Sequence, residues 1–188
     1  MGATQRAMAS EAIMRHLRQG LRDGIVGQVF EKIRDRPVVV AAFWPMPEEP
    51  DLRPLMTTWS DEKVCTIALP AITRRAAPLT FLQWSRQAPM REGHYCIPEP
   101  EGTASCTPDV LLVPTLGFTA AADRVGYGGG YYDRTLAAML QAGTPGLAVG
   151  IAFDCGRLQP GEHQPAGHDV HLDTVVTESG WMAGRPRK

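Results

Sequence analysis

The most constraining feature of the chain is an apolar run that leads through a glycine-rich loop into a helical pattern. Residues 109–113 (DVLLV) are apolar after the first residue and stop at Pro114, which is typical of a strand buried on both faces of a sheet. Residues 131–141 then place Leu136, Met139 and Leu140 on one face of a predicted helix. A strand, a long loop and a helix in this order indicate a unit of a parallel α/β sheet.

The rest of the chain repeats this alternation of strands and helices. Ser10 and Asp51 are predicted to cap two of the helices. Helices are predicted at residues 10–22, 26–33 and 51–59, and strands at 38–43, 64–69, 79–84, 147–153 and 174–177. The chain shows no internal repeat and no domain boundary. We therefore expect a single α/β domain over residues 1–188, with a mainly parallel central sheet flanked by helices.

Composition excludes several classes of protein. The chain has 188 residues, 44% hydrophobic residues and a net charge of −1, so it lacks the basic field of a nucleic-acid binder. The basic residues at 185–188 are interpreted as a solvated terminus. No apolar stretch is long enough to span a bilayer, and the first residues lack a signal-peptide core. We expect a cytoplasmic protein, a monomer or weak dimer, with no nucleic-acid or membrane partner.

The cysteines and histidines give weaker signals. Cys65, Cys96, Cys106 and Cys155 form no C-x-x-C pair, so we expect reduced structural thiols. Histidines and aspartates cluster in the loop before the last predicted strand. This cluster could indicate a transition-metal site, but its spacing matches no zinc motif and favours a surface loop. Its members are His163, His168, Asp169, His171 and Asp173.

The loop before the helix, residues 124–134 (RVGYGGGYYDR), carries the strongest chemical signal. Glycines allow positive φ and close approach to a ligand, and N–H groups at a helix start bind anions. Arg124 can pair with phosphate oxygens, and Asp133 can hold a phosphate-bound Mg²⁺. The loop is neither a Walker A nor a G-x-G-x-x-G motif. A simple tight turn is the alternative, and the strand–loop–helix context favours phosphate binding.

A longer set of motifs resembles a known family. The segment 113–136 (VPTLGFTAAADRVGYGGGYYDRTL) is similar to the signature of the 5-formyltetrahydrofolate cyclo-ligases, also called methenyltetrahydrofolate synthetases. Further matches follow the same order along the chain, from about residue 38 to residue 178. They are FWPMPEEPDLRPL at 43–55, IALP at 67–70, IPEP at 97–100, PDVLLVP at 108–114 and GHDVHLDTVVTE at 167–178.

The resemblance implies a reaction. 5-Formyltetrahydrofolate and ATP, with Mg²⁺, would give 5,10-methenyltetrahydrofolate, ADP and phosphate. The formyl oxygen would attack the γ-phosphate, and the second folate nitrogen would then displace phosphate from the activated carbon. An amide oxygen is a poor leaving group, and phosphorylation converts it into a good one. The protein would supply positioning and charge neutralisation.

The resemblance also implies roles for individual residues. Arg124 and Tyr132 are the predicted catalytic residues, and Asp133 and Asp169 the predicted Mg²⁺ ligands. Trp44, Glu49, Tyr127, Gly128, Gly129, Gly130 and Tyr131 are predicted to contact the folate. ATP is predicted to contact Arg124, Val125, Gly126, Tyr127, Gly128, Gly129, Gly130, Tyr131 and Tyr132. Plain structural alternatives remain for three of these residues: Glu49 as a helix cap, Trp44 as core packing and Asp169 as a turn residue.

Three positions depart from the family pattern. Met14 stands where the family carries a lysine in a basic motif, and Arg6, Arg15 or Arg18 are candidate substitutes. Thr119 replaces an aspartate, and Gly156 replaces a glutamine. These departures leave open a diverged paralogue that binds folate or nucleotide without this activity. A third alternative, a sugar-phosphate isomerase or CoA-transferase-like enzyme, is based on fold analogy alone.

Overall fold

The fold is described by a computed structural model over residues 1–182, excepting the side chains of residues 21–23; the basic residues at 185–188 lie outside the described residues. The helices are α1 (Ala3–Asp23), α2 (Ile25–Lys32), α3 (Arg53–Asp61) and α4 (Tyr131–Gln141). The strands are β1 (Val39–Ala41), β2 (Thr66–Ala71), β3 (Thr80–Trp84), β4 (Met90–Glu92), β5 (Pro98–Pro100), β6 (Ser105–Cys106), β7 (Val110–Pro114), β8 (Gly117–Phe118), β9 (Arg124–Val125), β10 (Leu147–Ile151), β11 (Thr174–Thr177) and β12 (Gly180–Trp181).

One large sheet organises the molecule. Its eight strands run in the order β12-β11-β10-β7-β1-β2-β3-β6. The five strands from β11 to β2 are parallel, whereas β12, β3 and β6 pair antiparallel at the two sides. The expected mainly parallel α/β fold is confirmed. Two separate hairpins, β4–β5 and β8–β9, lie outside this sheet.

Alternating side chains of the inner strands fill two apolar layers. In β7, Val110 and Leu112 pack in one layer, while Leu111 and Val113 pack in the other. The first layer also holds the apolar faces of α1, α2 and α3, and the second holds that of α4. Because both faces of β7 are covered, its sequence is continuously apolar.

The two helical layers create a switch point between β1 and β7. These strands are neighbours in the sheet. The chain leaves β1 towards α3 on one face and leaves β7 towards α4 on the other. In an open α/β sheet, connections that diverge in this way leave a crevice beyond the carboxyl ends of the two strands. The segments that follow β1 and β7 border this crevice.

Several predicted boundaries were wrong for local physical reasons. Helix α1 begins at Ala3, because residues 3–9 are good helix formers and the Gln5 side chain accepts the Gly2 N–H at 3.0 Å. Ser10 is therefore inside the helix, and its hydroxyl accepts the N–H of Asp51 at 3.0 Å. The N-cap position of α3 is Leu52, although Asp51 Oδ1 does accept the Arg53 N–H at 3.0 Å.

The strand predictions were wrong at several ends and missed the shortest strands. The predicted strand at 38–43 is confined to β1, the one at 147–153 ends at Ile151, and β2 continues through Pro70 to Ala71. The loop after β7 contains the β8–β9 hairpin, and residues 85–106 contain β4, β5 and β6. These strands have two or three residues each, too few to show an alternating pattern.

The described residues contain neither a helix that could span a membrane nor a disulfide. Within residues 1–182, no helix combines the length and apolar character needed to cross a bilayer. All four cysteines in that range are free, with Cys65 buried and Cys96 and Cys155 exposed.

A carboxylate ties β1 to β7 at the end opposite the crevice. Asp109 accepts two hydrogen bonds from Arg36, both 2.7 Å, and a third from the Val39 N–H at 2.8 Å. Burial alone would raise the pKa of the Asp109 carboxyl, but these hydrogen bonds and the Arg36 charge together hold its pKa below the usual value. The ionised carboxylate therefore stabilises the register of the two central strands.

We predict that Asp109→Asn lowers the free energy of unfolding by about 1–2 kcal/mol at pH 7, because the amide places an N–H group against two donors. A folded-state pKa below the unfolded value gives stability that is present above about pH 4 and is lost on acidification. The difference from the unmodified protein should therefore shrink below about pH 4 in urea unfolding curves. Asp61→Asn, at a surface pair 3.8 Å from Arg86, should change stability by less than about 0.5 kcal/mol. Equal effects of the two variants would contradict the assignment.

Candidate active-site cleft

A cavity of about 500 Å³ lies at the carboxyl ends of β1 and β7 and is called the cleft below. All the predicted site residues line it. From the segment after β1 come Trp44 and Glu49, from the glycine loop and the start of α4 come residues 124–133, and from the loop before β11 comes Asp169. The fold thus brings together segments more than a hundred residues apart, while the binding role of each residue stays a prediction.

The glycine loop has the backbone geometry of an anion site. Gly128 and Gly130 have φ of 79° and 63°, in the left-handed region that side chains disfavour. Gly130 is the N-cap residue of α4 and is followed directly by helical backbone. Within residues 1–182, the N–H groups of Gly128, Gly129 and Gly130 have no hydrogen-bond acceptor. Free N–H groups beside a helix start favour a bound anion.

An ion pair closes the base of this loop. Arg124 Nη2 donates to Asp133 Oδ2 at 2.8 Å, and the two side chains are only 7% and 15% exposed. Asp133 Oδ1 also accepts the Val170 N–H at 3.3 Å. Arg124 Nε is buried and has no partner among the described residues. An unpaired buried donor is costly, so a hydrogen-bond partner for this N–H would lower that cost.

Two tyrosines of the loop stay protonated at neutral pH. Burial, followed by the charge of Glu49, raises the pKa of Tyr132, while nearby Arg124 opposes this rise; the Arg124 Cζ lies 5.7 Å from the ring centroid. Partial burial, followed by the nearby Glu49 and Glu48, raises the pKa of Tyr127 to about 12, although the residue is 57% exposed. Both hydroxyls can therefore donate hydrogen bonds but cannot act as bases near pH 7.

Glu49 is an acid that the fold buries at the wall of the cleft. The residue is 8% exposed, and its Oε2 accepts the Met46 N–H at 2.7 Å. Burial raises the pKa of Glu49, and the hydrogen bonds from Met46 and Tyr127 lower it by less. The carboxylate does not serve the N-terminus of α3, where Asp51 is bound instead. Trp44 packs against the apolar core and also lines the cleft, 5.8 Å below the Arg53 guanidinium.

Asp169 is both a turn residue and a cleft residue. Its Oδ2 accepts the Ala166 N–H at 2.8 Å, and its Oδ1 lies 3.6 Å from His168 Nε2. Within residues 1–182 there is no group of three or more His, Cys, Asp or Glu side chains that could hold a metal ion. Asp133 and Asp169 both line the cleft, and carboxylate oxygens are among the ligands that Mg²⁺ takes beside waters and phosphate oxygens, so their role as metal ligands stays a prediction.

The histidine-rich loop does not assemble a transition-metal site. Asp173 accepts the Ala148 N–H at 2.7 Å and is buried, and His171 Nδ1 lies 2.9 Å from the Leu172 carbonyl oxygen. These contacts turn both side chains to the protein itself. His163 does line the cleft, and its buried Nε2 has no partner among the described residues.

The departures from the family pattern have structural accounts. Met14 is buried, and the arginines proposed as substitutes for the lysine do not line the cleft: Arg15 and Arg18 are exposed, and Arg6 lies 3.5 Å from Glu48. At the other two positions, Thr119 and Gly156, the residue present is explained by its local contacts. Thr119 Oγ1 donates to Asp123 Oδ2 at 2.8 Å and so ties the β8–β9 turn, and a Cβ at Gly156 would collide with the Leu116 carbonyl oxygen.

Sequence reasoning missed the wall formed by the β4–β5 hairpin. His94, Tyr95 and Glu99 line the cleft from this side. Glu99 is 3% exposed and accepts the Ile72 N–H at 3.0 Å and an Arg91 N–H at 3.2 Å, so it fixes the hairpin to the end of β2. The only sequence signal was the short IPEP motif, which does not reveal what the glutamate contacts.

Fold and cleft together define a class of protein: a mixed α/β protein with a glycine-rich loop and free N–H groups at the switch point of its sheet. A model of the 5-formyltetrahydrofolate cyclo-ligase family matches residues 6–178. The chain belongs to this family.

Individual relatives agree with the family match. A Haemophilus influenzae protein named 5-formyltetrahydrofolate cyclo-ligase is 33% identical over 104 residues, covering 52% of this chain and 53% of that protein. The match therefore spans about half the length of that relative. A protein of the same name from Escherichia coli K12 is 34% identical over 148 residues, covering 74% of this chain and 78% of the relative.

Two solved structures share the fold. The NMR structure of Aquifex aeolicus 5,10-methenyltetrahydrofolate synthetase aligns with a TM-score of 0.75 at 24% identity, covering 100% of this chain and 89% of that one. A Mycoplasma pneumoniae 5,10-methenyltetrahydrofolate synthetase aligns with a TM-score of 0.66 at 18% identity, covering 95% and 90% of the two chains. The central sheet and its helical layers are thus shared with both structures.

The burial of Glu49 generates a stability prediction. A raised folded-state pKa means that ionised Glu49 opposes folding above that pKa, and that this cost disappears below the unfolded value of about 4.3. We expect Glu49→Gln, which keeps an acceptor for Met46, to raise the free energy of unfolding by about 0.5–2 kcal/mol at pH 7. The gain should vanish near pH 4 in urea unfolding curves.

The neighbouring glutamate provides the control for this variant. Glu48 is 73% exposed, so Glu48→Gln should change the stability by less than about 0.5 kcal/mol at either pH. A Glu49→Gln protein that is less stable than the unmodified protein at pH 7 would show that the carboxylate is a net stabilising group.

Proposed function

We propose that the protein converts 5-formyltetrahydrofolate and ATP into 5,10-methenyltetrahydrofolate, ADP and phosphate. The observation that carries the proposal is the meeting of the family's motif segments in one cleft, where a glycine loop with free N–H groups adjoins the Arg124–Asp133 pair. We propose further that one domain, residues 1–188, contains the whole site, and that the protein is a cytoplasmic monomer or weak dimer.

The nucleotide side of the cleft is the glycine loop. The phosphate chain of ATP would lie on the N–H groups of residues 128–130 at the start of α4. Arg124 would donate its unpaired Nε–H to a phosphate oxygen, because the Asp133 carboxylate already holds one terminal nitrogen of the same guanidinium. Tyr132, kept protonated by burial, would donate its hydroxyl to the charge that develops on the transferring phosphoryl group.

The folate side is the wall that follows β1. Glu49 would accept hydrogen bonds from ring N–H groups of the folate, and Trp44 would contact the flat ring system. Tyr127 lies at the rim next to Glu49, so its exposed ring could cover the bound folate. The chain thus holds the formyl oxygen towards the γ-phosphate, and later the second nitrogen towards the activated carbon. Both steps depend on positioning.

Mg²⁺ would be held by Asp133 and Asp169, and when bound it would neutralise charge on the phosphates. Asp133 then has two partners, the metal and Arg124. The two carboxylates leave most coordination positions to water and phosphate oxygens, which is the usual arrangement for Mg²⁺ at nucleotides.

The direct test is the appearance of the methenyltetrahydrofolate absorbance after 5-formyltetrahydrofolate and Mg-ATP are added to the protein. We expect product with ATP and none without it. Folded protein that forms no product would reject the catalytic proposal. Binding of folate and nucleotide to that protein would then identify the paralogue that binds without turnover.

The same assay tests the metal ligand. We expect Asp133→Asn to lower kcat by at least about a hundredfold, since it weakens the Mg²⁺ site and the hold on Arg124. Calorimetric titration of Mg²⁺ into the ATP-bound variant should show weaker binding. Asp35→Asn, an exposed change, is the matched control and should leave both quantities unaltered. Unchanged turnover of Asp133→Asn at limiting Mg²⁺ would remove this role.

A further inference from the structure

Arg134 makes three contacts to the glycine loop and its surroundings, although it does not line the cleft. Its Nη2 donates to the Gly129 carbonyl oxygen at 2.8 Å, and its Cζ lies 4.8 Å from the Tyr131 ring centroid. Its Nε lies 3.5 Å from the Ala77 carbonyl oxygen, in the connection between β2 and β3. One side chain therefore links the loop, the first residue of α4 and a neighbouring segment.

The contact to Gly129 fixes the orientation of a peptide group. In a trans peptide the C=O of one residue and the N–H of the next point in opposite directions. Arg134, which does not line the cleft, binds the Gly129 carbonyl, so the Gly130 N–H on the opposite side of that peptide points away from the guanidinium. Gly130 has φ 63° and ψ 14°, and its carbonyl accepts the Arg134 N–H at 3.1 Å. Both peptide groups around Gly130 are therefore bonded to Arg134.

The positive φ of Gly130 disfavours a side chain there, and the same arginine occupies the adjacent space. A Cβ on Gly130 would lie 2.8 Å from Arg134 Nη1, just as a Cβ on Gly126 would lie 2.6 Å from Arg124 Nη1. Each guanidinium thus occupies the space beside one glycine of the loop. Arg124 lines the cleft and its side chain is 7% exposed, whereas Arg134 does not line the cleft.

We propose that Arg134 is a positioning residue that presets the glycine loop for the phosphate chain of the nucleotide; this inference depends on the proposed binding of ATP by the loop. A flexible run of glycines loses conformational entropy when it orders around a ligand. Arg134 removes part of that cost before binding, because it holds the Gly129–Gly130 peptide in the binding orientation. Its effect therefore depends on the phosphates and not on the nucleoside.

The test compares the binding of ATP, ADP and adenosine to the whole protein by calorimetry, with Mg²⁺ present. We expect Arg134→Gln to weaken ATP and ADP binding about tenfold, a typical effect of losing one charge-assisted hydrogen bond. Adenosine binding should change by less than about twofold. Arg134→Lys keeps a donor for the Gly129 carbonyl and should recover part of the ATP affinity, which also decides the question if Arg134→Gln does not fold.

A second stacked arginine controls for the loss of one positive charge. Arg157 is exposed, and its Cζ lies 5.2 Å from the Phe118 ring centroid, outside the cleft. Arg157→Gln should bind ATP as the unmodified protein does. An equal loss of ATP affinity in both glutamine variants would assign the effect to long-range charge and overturn the proposal.

The remaining outcomes separate this inference from the function. Unaltered ATP binding by Arg134→Gln, or an equal loss of ATP and adenosine, overturns the positioning role while the unmodified protein still binds and turns over its substrates. An unmodified protein that binds no nucleotide overturns the proposed function and this inference together.

Discussion

The ion pair between Arg124 and Asp133 is the interaction on which the cleft depends. It joins strand β9 to the first turn of α4 and so determines the span of the glycine loop between them. Two nearly buried charges are tolerated because each satisfies the other, and removing one would leave an unpaired charge in a poorly solvated place. The pair also couples the two proposed binding roles, since Arg124, which is assigned to the phosphates, is hydrogen-bonded to Asp133, which is assigned to the metal.

The sheet determines where that pair can be useful. Because β1 and β7 are neighbours whose connections leave on opposite faces, the segments carrying Glu49 and the glycine loop meet without any long excursion of the chain. Burial then tunes the groups that meet there, since it raises the pKa values of both Glu49 and Tyr132. Tyr132 therefore keeps its hydroxyl proton at neutral pH and can donate a hydrogen bond to a ligand.

Sequence patterns predicted the features that depend on local order. The apolar run of β7 and the helix at Tyr131–Gln141 were predicted correctly, because burial on both faces and a regular helical face leave clear periodicities. The meeting of Trp44, Glu49 and Asp169 with the loop followed from the family resemblance. Contacts made by single side chains could not be predicted, because a single contact leaves no periodic pattern in the sequence. Examples are the contacts of Ser10 with Asp51, Glu99 with Ile72, and Arg134 with Gly129.

The two outermost strands of the large sheet, β6 and β12, have only two residues each. A short edge strand offers few unpaired backbone groups, and therefore gives another chain little template for adding a strand. The parallel strands, whose apolar runs would be prone to aggregate if exposed, are all interior. The antiparallel strands at the two sides thus protect the most hydrophobic part of the sequence against self-association through the edges of the sheet.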